Sequence, residues 1–224
     1  MDNNSIKKYF AAFKQIGLKR LLTYFLVGGV IVASLTTLFI FQSKANKNAQ
    51  EKFRLAASYY YEAENSEGEE RTKKYREAKT LYKEILSKFW VDKKDTLFYL
   101  GSCLYSLKEY EEAAEVLQRF EHKYANEYFT PWVEIKLASI YEQKKEYGKA
   151  IDFYNKIFEK YPNSSLAPQA LLGAGRCLQL QGKWDKARHN YEELLSRYPL
   201  SKKKEIAQVK IQQLKQLQKS DFTD

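Results

Sequence analysis

Glycine, proline, histidine and cysteine are all scarce in this chain. Nine glycines and four prolines among 224 residues are too few for a turn-rich β architecture or for a low-complexity disordered chain. Two cysteines and two histidines form no Cys-x-x-Cys pair, and the sequence has no phosphate-binding loop, no Gly-x-Gly-x-x-Gly fingerprint and no serine-centred nucleophile elbow. We therefore expect no enzymatic activity, no cofactor and no bound metal.

The excess of basic residues is spread along the chain. The formal net charge is +10, and residues 1–20 hold five basic residues against one acidic residue. Beyond them, basic residues are interleaved with acidic clusters, such as the four glutamates between residues 109 and 115. A nucleic-acid-binding domain concentrates its lysines and arginines on one face, so we expect no nucleic-acid partner.

One long apolar run lies near the N-terminus. Residues 21–43 carry no charge, and a helix over residues 21–41 would be about 30 Å long, which matches the hydrocarbon core of a bilayer. The run is longer than the apolar region of a signal peptide and follows 20 residues rather than a short basic segment. We predict an uncleaved transmembrane helix over 21–43, with a signal peptide cleaved near Ala45 as the alternative.

Residues 1–20 form a basic N-terminal segment that is predicted to be an amphipathic helix. Its apolar residues recur at three- and four-residue spacing and are opposed by lysines: Ile6, Tyr9, Phe10, Phe13 and Ile16. This pattern suits the surface of an anionic leaflet, and a solvated basic tail is the alternative. Five basic residues precede the span and four follow it closely. The positive-inside bias is slight and favours a cytoplasmic N-terminus, with the rest of the chain outside the cytoplasm.

Three stretches of the sequence coincide when they are shifted by 37 residues. The equivalent triplets are Tyr110/Tyr147/Trp184, Gly101/Ala138/Gly175, Ala113/Ala150/Ala187, Leu117/Tyr154/Tyr191 and Tyr124/Tyr161/Tyr198. A period of this length indicates one supersecondary unit repeated, with each copy burying its apolar face against its neighbours. The spacing predicts two helices per unit, with the small residues where the helices approach closely. Cys103 and Cys177 occupy the same repeat position two units apart, too far for a disulfide.

The units resemble the tetratricopeptide repeat (TPR) family. Residues 168–200 supply Leu171, Ala174, Gly175, Leu178, Gly182, Trp184, Ala187, Tyr191, Leu194 and Pro199. Residues 131–163 supply Leu137, Ala138, Tyr141, Tyr147, Ala150, Tyr154, Ile157 and Pro162. Residues 95–125 supply Leu97, Leu100, Gly101, Leu104, Tyr110, Ala113, Leu117 and Phe120. The resemblance implies an all-α helix-turn-helix solenoid of about four repeats plus a C-terminal capping helix, preceded by one transmembrane helix.

The two ends of the repeat region depart from this pattern. Residues 44–94 form a degenerate first repeat, in which Tyr75, Ala78, Tyr82, Ile85 and Phe89 match a second helix, and Leu55, Ala56 and Tyr59 match a first helix. About ten extra residues intervene, which predicts a longer loop or a helix extension. Three units occupy 95–200. The segment 201–224 is predicted to be a capping helix and tail. The helix is apolar on one stripe and rich in lysine and glutamine on the other, as shown by Ile206, Val209, Lys210, Gln213, Leu214 and Leu217.

The resemblance also implies a binding groove. In the family, first-helix positions 2, 5, 9 and 12 face inward, and here they are Phe98, Ser102, Tyr105, Trp132, Ile135, Ser139, Glu142, Leu172, Arg176 and Gln179. A mostly apolar lining suits a helix or an extended peptide of a protein partner. Packing against the cap or a neighbouring copy is the alternative. The carboxylate clamp of chaperone-binding relatives needs lysine at position 5, where this chain has Phe98, Ile135 and Leu172, so that activity is not implied.

The order of a basic N-terminus, one span and repeats resembles the ancillary TPR subunit of the Sec translocon. The 37-residue unit with Tyr-Pro-x-Ser resembles the bacterial envelope branch of the family. We predict a single-pass inner-membrane adaptor or scaffold with a periplasmic TPR domain that binds a protein partner, for example in translocation or envelope assembly. The alternative is a structural subunit of a large envelope machine, such as a periplasmic flagellar motor collar, in which copies self-associate.

Overall fold

The computed structural model describes residues 3–87 and 93–220. In these ranges the chain forms nine helices and no strand: α1 (Asn3–Glu64), α2 (Gly68–Leu86), α3 (Lys94–Ser106), α4 (Tyr110–Lys123), α5 (Thr130–Gln143), α6 (Tyr147–Lys160), α7 (Ala167–Leu180), α8 (Trp184–Arg197) and α9 (Lys204–Ser220). The predicted all-α class is confirmed. The predicted roles of Phe89 and of the Phe10, Phe13 and Ile16 side chains fall outside the described residues.

The chain divides into two compact units, Met1–Glu51 and Lys52–Asp224. Among the described helices, α1 is the one that is long and apolar enough to cross a membrane, and none of its most apolar stretch is buried. The helix runs on through residues 43 and 44, where the sequence predicted the end of the span. The apolar helix is compatible with a single-pass membrane protein.

Three helical hairpins, α3–α4, α5–α6 and α7–α8, form the regular part of the second unit. Two residues after the end of each first helix lies a residue with positive φ. These residues are spaced 37 apart: Lys108 (61°), Lys145 (61°) and Gly182 (72°). The amide of the next residue donates to a carbonyl five residues back, as Lys183 does to Leu178 at 2.9 Å. This is the Schellman arrangement, and its repetition gives the three hairpins the same turn.

Small residues lie where the two helices of a hairpin approach most closely. A Cβ built on Gly101 would lie 2.4 Å from the Leu117 side chain, and one on Gly175 would lie 2.4 Å from the Tyr191 ring. The alanines of the second helices are fully buried: Ala113, Ala150 and Ala187. These contacts place the repeat register where the sequence predicted it. Cys103 and Cys177 are both buried and free.

The first repeat pairs the end of α1 with α2 and is longer than the others. Helix α2 begins at Gly68, seven residues before Tyr75, whereas α4 begins at Tyr110, the counterpart of Tyr75. The extra residues are therefore a helix extension, with only residues 65–67 between the helices. Of the residues predicted to match a first helix, Ala56 is fully buried and Tyr59 is partly buried, whereas Leu55 is 46% exposed. Ala63 is buried as well.

The capping helix α9 packs on α8, but not through all the predicted residues. Ala207, Ile211 and Leu214 are buried and join a cluster that includes Ala187, Tyr191 and Leu194. Ile206 and Val209, which the predicted stripe included, are 45% and 50% exposed. The prediction was wrong because α9 carries two adjacent apolar stripes, and only contact with α8 decides which of them is covered.

A partly buried ion cluster joins the second and third repeats. Lys156 of α6 contacts Glu134 of α5 at 2.8 Å and also pairs with Glu121 of α4. Glu134 is 1% exposed, and its second carboxylate oxygen has no hydrogen-bond partner among the described residues. One lysine thus holds two carboxylates from two different helices, which fixes α4, α5 and α6 together.

Candidate protein-binding groove

The ten residues assigned to the groove lie on α3, α5 and α7, which are side by side, since α3 contacts α5 and α5 contacts α7. Four of them are buried and offer little surface: Phe98, Ser102, Ile135 and Leu172. Six are partly exposed: Tyr105, Trp132, Ser139, Glu142, Arg176 and Gln179. The exposed members are therefore the ones that a partner can reach without displacing the core.

The buried members hold the first helices together. The Phe98 ring stacks on Phe129, just before α5, with ring centroids 4.2 Å apart and planes inclined by 11°. The Ser102 hydroxyl donates to the Phe98 carbonyl at 2.9 Å, so its polar group is used within α3. These side chains form the floor beneath the exposed residues.

An exposed aromatic pair lies at the start of α5. The ring centroids of Trp132 and Tyr128 are 5.2 Å apart, and those of Tyr128 and Phe129 are 5.4 Å apart. Tyr128 is 75% exposed and Trp132 is partly exposed. The pair continues the stack of buried Phe98 on partly buried Phe129 out to solvent, so it is a preordered aromatic surface. The repeat pattern does not require Tyr128, and the sequence analysis missed it.

Polar residues on α5 and α7 pair with one another. Glu142 accepts hydrogen bonds from the Tyr154 hydroxyl at 2.9 Å and from Nη2 of Arg176 at 2.7 Å. The hydrogen bond to Glu142 raises the pKa of Arg176 more than burial lowers it. The Tyr191 hydroxyl donates to Gln179 at 3.3 Å. This end of the groove is thus a satisfied polar network, in which the charge of Arg176 is already matched.

Lys136 is a groove residue that the family positions did not include. It lies on α5, one turn after Trp132, and its Nζ is 5.3 Å from the centroid of the Tyr105 ring. No carboxylate or hydrogen-bond acceptor among the described residues lies within bonding distance of this ammonium group. Burial lowers the pKa of Lys136, and the carboxylate of Glu64 only partly opposes that shift. In the sequence, Lys136 is a charged residue between two apolar ones, Ile135 and Leu137, which are both buried. That placement was the signal from which its role in the groove could have been predicted.

A second aromatic cluster surrounds Tyr99 on the α1 side of α3. Its hydroxyl lies 3.0 Å from that of Tyr61, and its ring packs against Phe53, Tyr60 and Tyr82. Burial raises the pKa of Tyr99, with the Tyr61 hydroxyl adding to the shift. Tyr61 is 54% exposed, so the cluster ends at the surface. The degenerate repeat thus adds a cluster of aromatic rings to the small residues Ala56, Ala63 and Ala78, which are fully buried as in the regular units.

Family models described as tetratricopeptide repeat match residues 69–127 and 129–199, which together make up more than half of the chain. The chain belongs to the tetratricopeptide repeat family. The hairpins, the small residues at their contacts and the groove between their first helices are therefore those of TPR units, and the family indicates a scaffold for protein–protein interaction. A search of curated protein sequences finds no significant match.

Solved TPR structures share this fold at low sequence identity. A point mutant of MamA superposes with a TM-score of 0.54 and 18% identity, covering 73% of this chain and 82% of MamA. YrrB, titled a TPR protein with an unusual peptide-binding site, gives a TM-score of 0.52 and 18% identity, covering 76% of this chain and 82% of YrrB. The predicted TPR solenoid is confirmed.

Proposed function

We propose that this protein is a membrane-anchored TPR adaptor, which docks a protein partner on the first helices α3, α5 and α7 outside the cytoplasm. The observation that carries the proposal is the exposed aromatic surface of Trp132 and Tyr128, on a solenoid whose chain also contains an apolar helix of membrane-spanning length. The charge bias around that helix supports an inner membrane with a periplasmic TPR domain. Protein translocation or envelope assembly are the processes that such an adaptor would serve.

The chemistry of the surface suits a peptide of a protein partner. Aromatic residues at the centre of an interface commonly contribute about 2 kcal/mol or more each, and Trp132 and Tyr105 are aromatic, partly exposed and already held by neighbouring rings. Rings held in place lose little conformational entropy on binding. The peptide-binding site named for YrrB supports the same use of a TPR surface here.

The test is a double variant, Trp132→Ala with Tyr105→Ala, in the full-length protein. A photoreactive residue in place of Gln143, an exposed residue at the end of α5, would crosslink the partner in intact cells, and mass spectrometry would identify it. We expect the double variant to keep its helical circular dichroism and to lose the crosslink. Trp184→Ala is the control, because Trp184 is an exposed aromatic residue on a second helix. A crosslink of normal yield in the double variant would show that the groove is not the docking surface.

A structural role in a large assembly is the second candidate. The observation that favours it is the uncovered apolar stripe of α9, where Ile206 and Val209 are 45% and 50% exposed at the end of the solenoid. Isolated copies would leave this stripe in water, whereas packed copies would cover it. Molecular mass in mild detergent separates the two functions. A large assembly that dissociates with Ile206→Lys and Val209→Glu would favour the structural subunit over the adaptor.

A further inference from the structure

Among the described residues, the first helices carry a cation whose charge the protein itself does not match. On α7, Arg176 is held by Glu142 at 2.7 Å, and on α3, Lys94 pairs with Glu127 at 2.9 Å. Lys136 has the Tyr105 ring, 5.3 Å from its Nζ, and no carboxylate in the described ranges forms an ion pair with it. Lys136 is partly buried. A partly buried ammonium without a carboxylate is unfavourable, and a bound anion would complete its environment.

Glu64, near the end of α1, is the acidic group whose negative charge raises the pKa of Lys136 from a distance. Its carboxylate accepts a hydrogen bond from the Tyr75 hydroxyl, which satisfies it without Lys136. Glu64 therefore lowers the potential at the ammonium group without forming a pair with it. Removal of that negative charge should make the position more attractive to an incoming anion.

We infer that Lys136, together with Tyr105, is the point at which the groove recognises an aspartate or glutamate side chain of an extended partner peptide. The inference rests on the proposed function and specifies the chemistry of the partner. Trp132 and Lys136 are four residues apart on α5, so their side chains are neighbours on one face, about 6 Å apart. Alternate residues of an extended peptide are about 6.6 Å apart and point the same way. The partner motif is therefore an apolar or aromatic residue on Trp132 and an acidic residue two positions away on Lys136.

A peptide library tests this motif directly, because the selection requires no identified partner. The full-length protein in detergent micelles is immobilised and panned at low salt against phage-displayed linear peptides. Peptides that Trp132→Ala no longer retains define the groove-dependent set. In this set we expect Asp or Glu at one position, two residues from an apolar side chain. Lys136→Glu should change the preference at that position to Lys or Arg, and Lys136→Met should remove it while the apolar preference stays.

Affinity measurements with one selected peptide then give the magnitude. Fluorescence polarisation should show binding about tenfold weaker with Lys136→Met, as expected for loss of a charge-assisted contact. Glu64→Gln should strengthen binding, and Lys136→Arg should retain most of it. Lys186→Met is the matched control, since Lys186 is an exposed lysine on α8.

The possible results distinguish failure of this inference from failure of the proposed function on which it rests. Groove-dependent peptides without an acidic preference, or with one that survives Lys136→Met, would overturn the role of Lys136 and leave the groove intact. A library without any peptide that depends on Trp132 would overturn the groove as a peptide-binding site and this inference with it. An acidic preference that reverses with Lys136→Glu supports both.

Discussion

At the scale of single residues, Lys136 and Lys156 are two lysines in opposite situations. Lys156 lies between Glu121 and Glu134, whereas Lys136 faces an aromatic ring. A cation over a tyrosine ring gains roughly 0.5–2 kcal/mol, but partial burial lowers the pKa of Lys136 and so disfavours its charged form. We therefore expect Lys156 to stabilise the fold and Lys136 to reduce its stability in return for binding.

Replacement of Lys136 by methionine should raise the melting temperature at neutral pH. Because the pKa of Lys136 is lowered in the folded protein, the unfolded chain binds more protons between that pKa and the usual value of about 10.4. The unfolding free energy of the wild type therefore rises with pH across this window. The advantage of the variant should be largest below the folded pKa and should vanish above about pH 10.5. Thermal melts of both proteins from pH 7 to pH 11 measure it, and a lower melting temperature at pH 7 would show that Lys136 is structural.

Replacement of Lys156 by methionine should lower stability. Glu134, 1% exposed, would lose its cation and remain as a buried carboxylate. Removal of one partner of a fully buried pair costs roughly 3–5 kcal/mol, and we expect about 1–2 kcal/mol here because the Lys156 side chain is 31% exposed and water screens it. Urea unfolding measures the loss. Adding Glu134→Gln should recover part of it, and Lys149→Met, which breaks an exposed pair with Glu146, should leave the midpoint unchanged.

At the scale of helices and turns, the three hairpins share one geometry with different residues. The positive-φ position is lysine in two units and glycine in the third. A residue with a Cβ pays roughly 1–2 kcal/mol for this conformation, whereas glycine adopts it freely. The repeated turn is therefore set by the helices that it joins, because two of its three residues are poorly suited to it.

Replacement of Lys145 by glycine should stabilise the protein by about 0.5 kcal/mol. The relief of the strained backbone exceeds the extra entropy that glycine loses on folding. The reverse exchange, Gly182→Lys, should destabilise by a similar amount at the equivalent turn, where φ is 72°. Equilibrium denaturation of the pair measures both, and a shift of the same sign in the two variants would contradict this account.

Replacement of Ala187 by leucine should lower the unfolding free energy by about 1–3 kcal/mol, the usual cost of overpacking. Ala187 is fully buried in the cluster shared by α7, α8 and α9, so a longer side chain would have to displace its neighbours. Lys186→Leu is the control, since Lys186 is exposed on the same helix. An unchanged melting curve for Ala187→Leu would mean that the two helices of this repeat meet elsewhere.

At the scale of the whole molecule, a TPR domain and an apolar helix lie in one chain. Stacked repeats derive their stability from each unit and from its contacts with neighbours, and α9 covers the last unit through Ala207, Ile211 and Leu214. In the membrane-anchored adaptor proposed above, the side of the membrane on which the TPR domain lies determines which partners it can meet. This topology depends on charge around the span rather than on the fold.

The proposed topology places the C-terminus outside the cytoplasm. A reporter active only in that compartment, fused after Asp224, should be active, because five basic residues precede the apolar run and four follow it closely. A cytoplasm-specific reporter at the same site is the matched control and should be silent. Activity of the cytoplasmic reporter alone would reverse the orientation and move the partner to the cytoplasm.

Short-range patterns in the sequence were enough to determine the fold. The 37-residue register, the glycines and alanines at helix contacts and the breaks between units depend on residues close in the chain. They therefore located α3 to α8 and the contacts of Gly101, Gly175 and Ala187 without reference to tertiary structure. The family positions placed the ten groove residues on the first helices for the same reason. The length of the apolar run likewise identified the candidate membrane-spanning helix.

Tertiary structure decided what depends on surfaces brought together from distant parts of the chain. Helix α9 has two apolar stripes, and only its contact with α8 selected Ala207 and Ile211 over Ile206 and Val209. Packing of α3 on α5 decided that Phe98 is covered while Lys136 lies over the Tyr105 ring. Burial and pairing are properties of a residue's neighbours in space, so the sequence of one helix does not contain them.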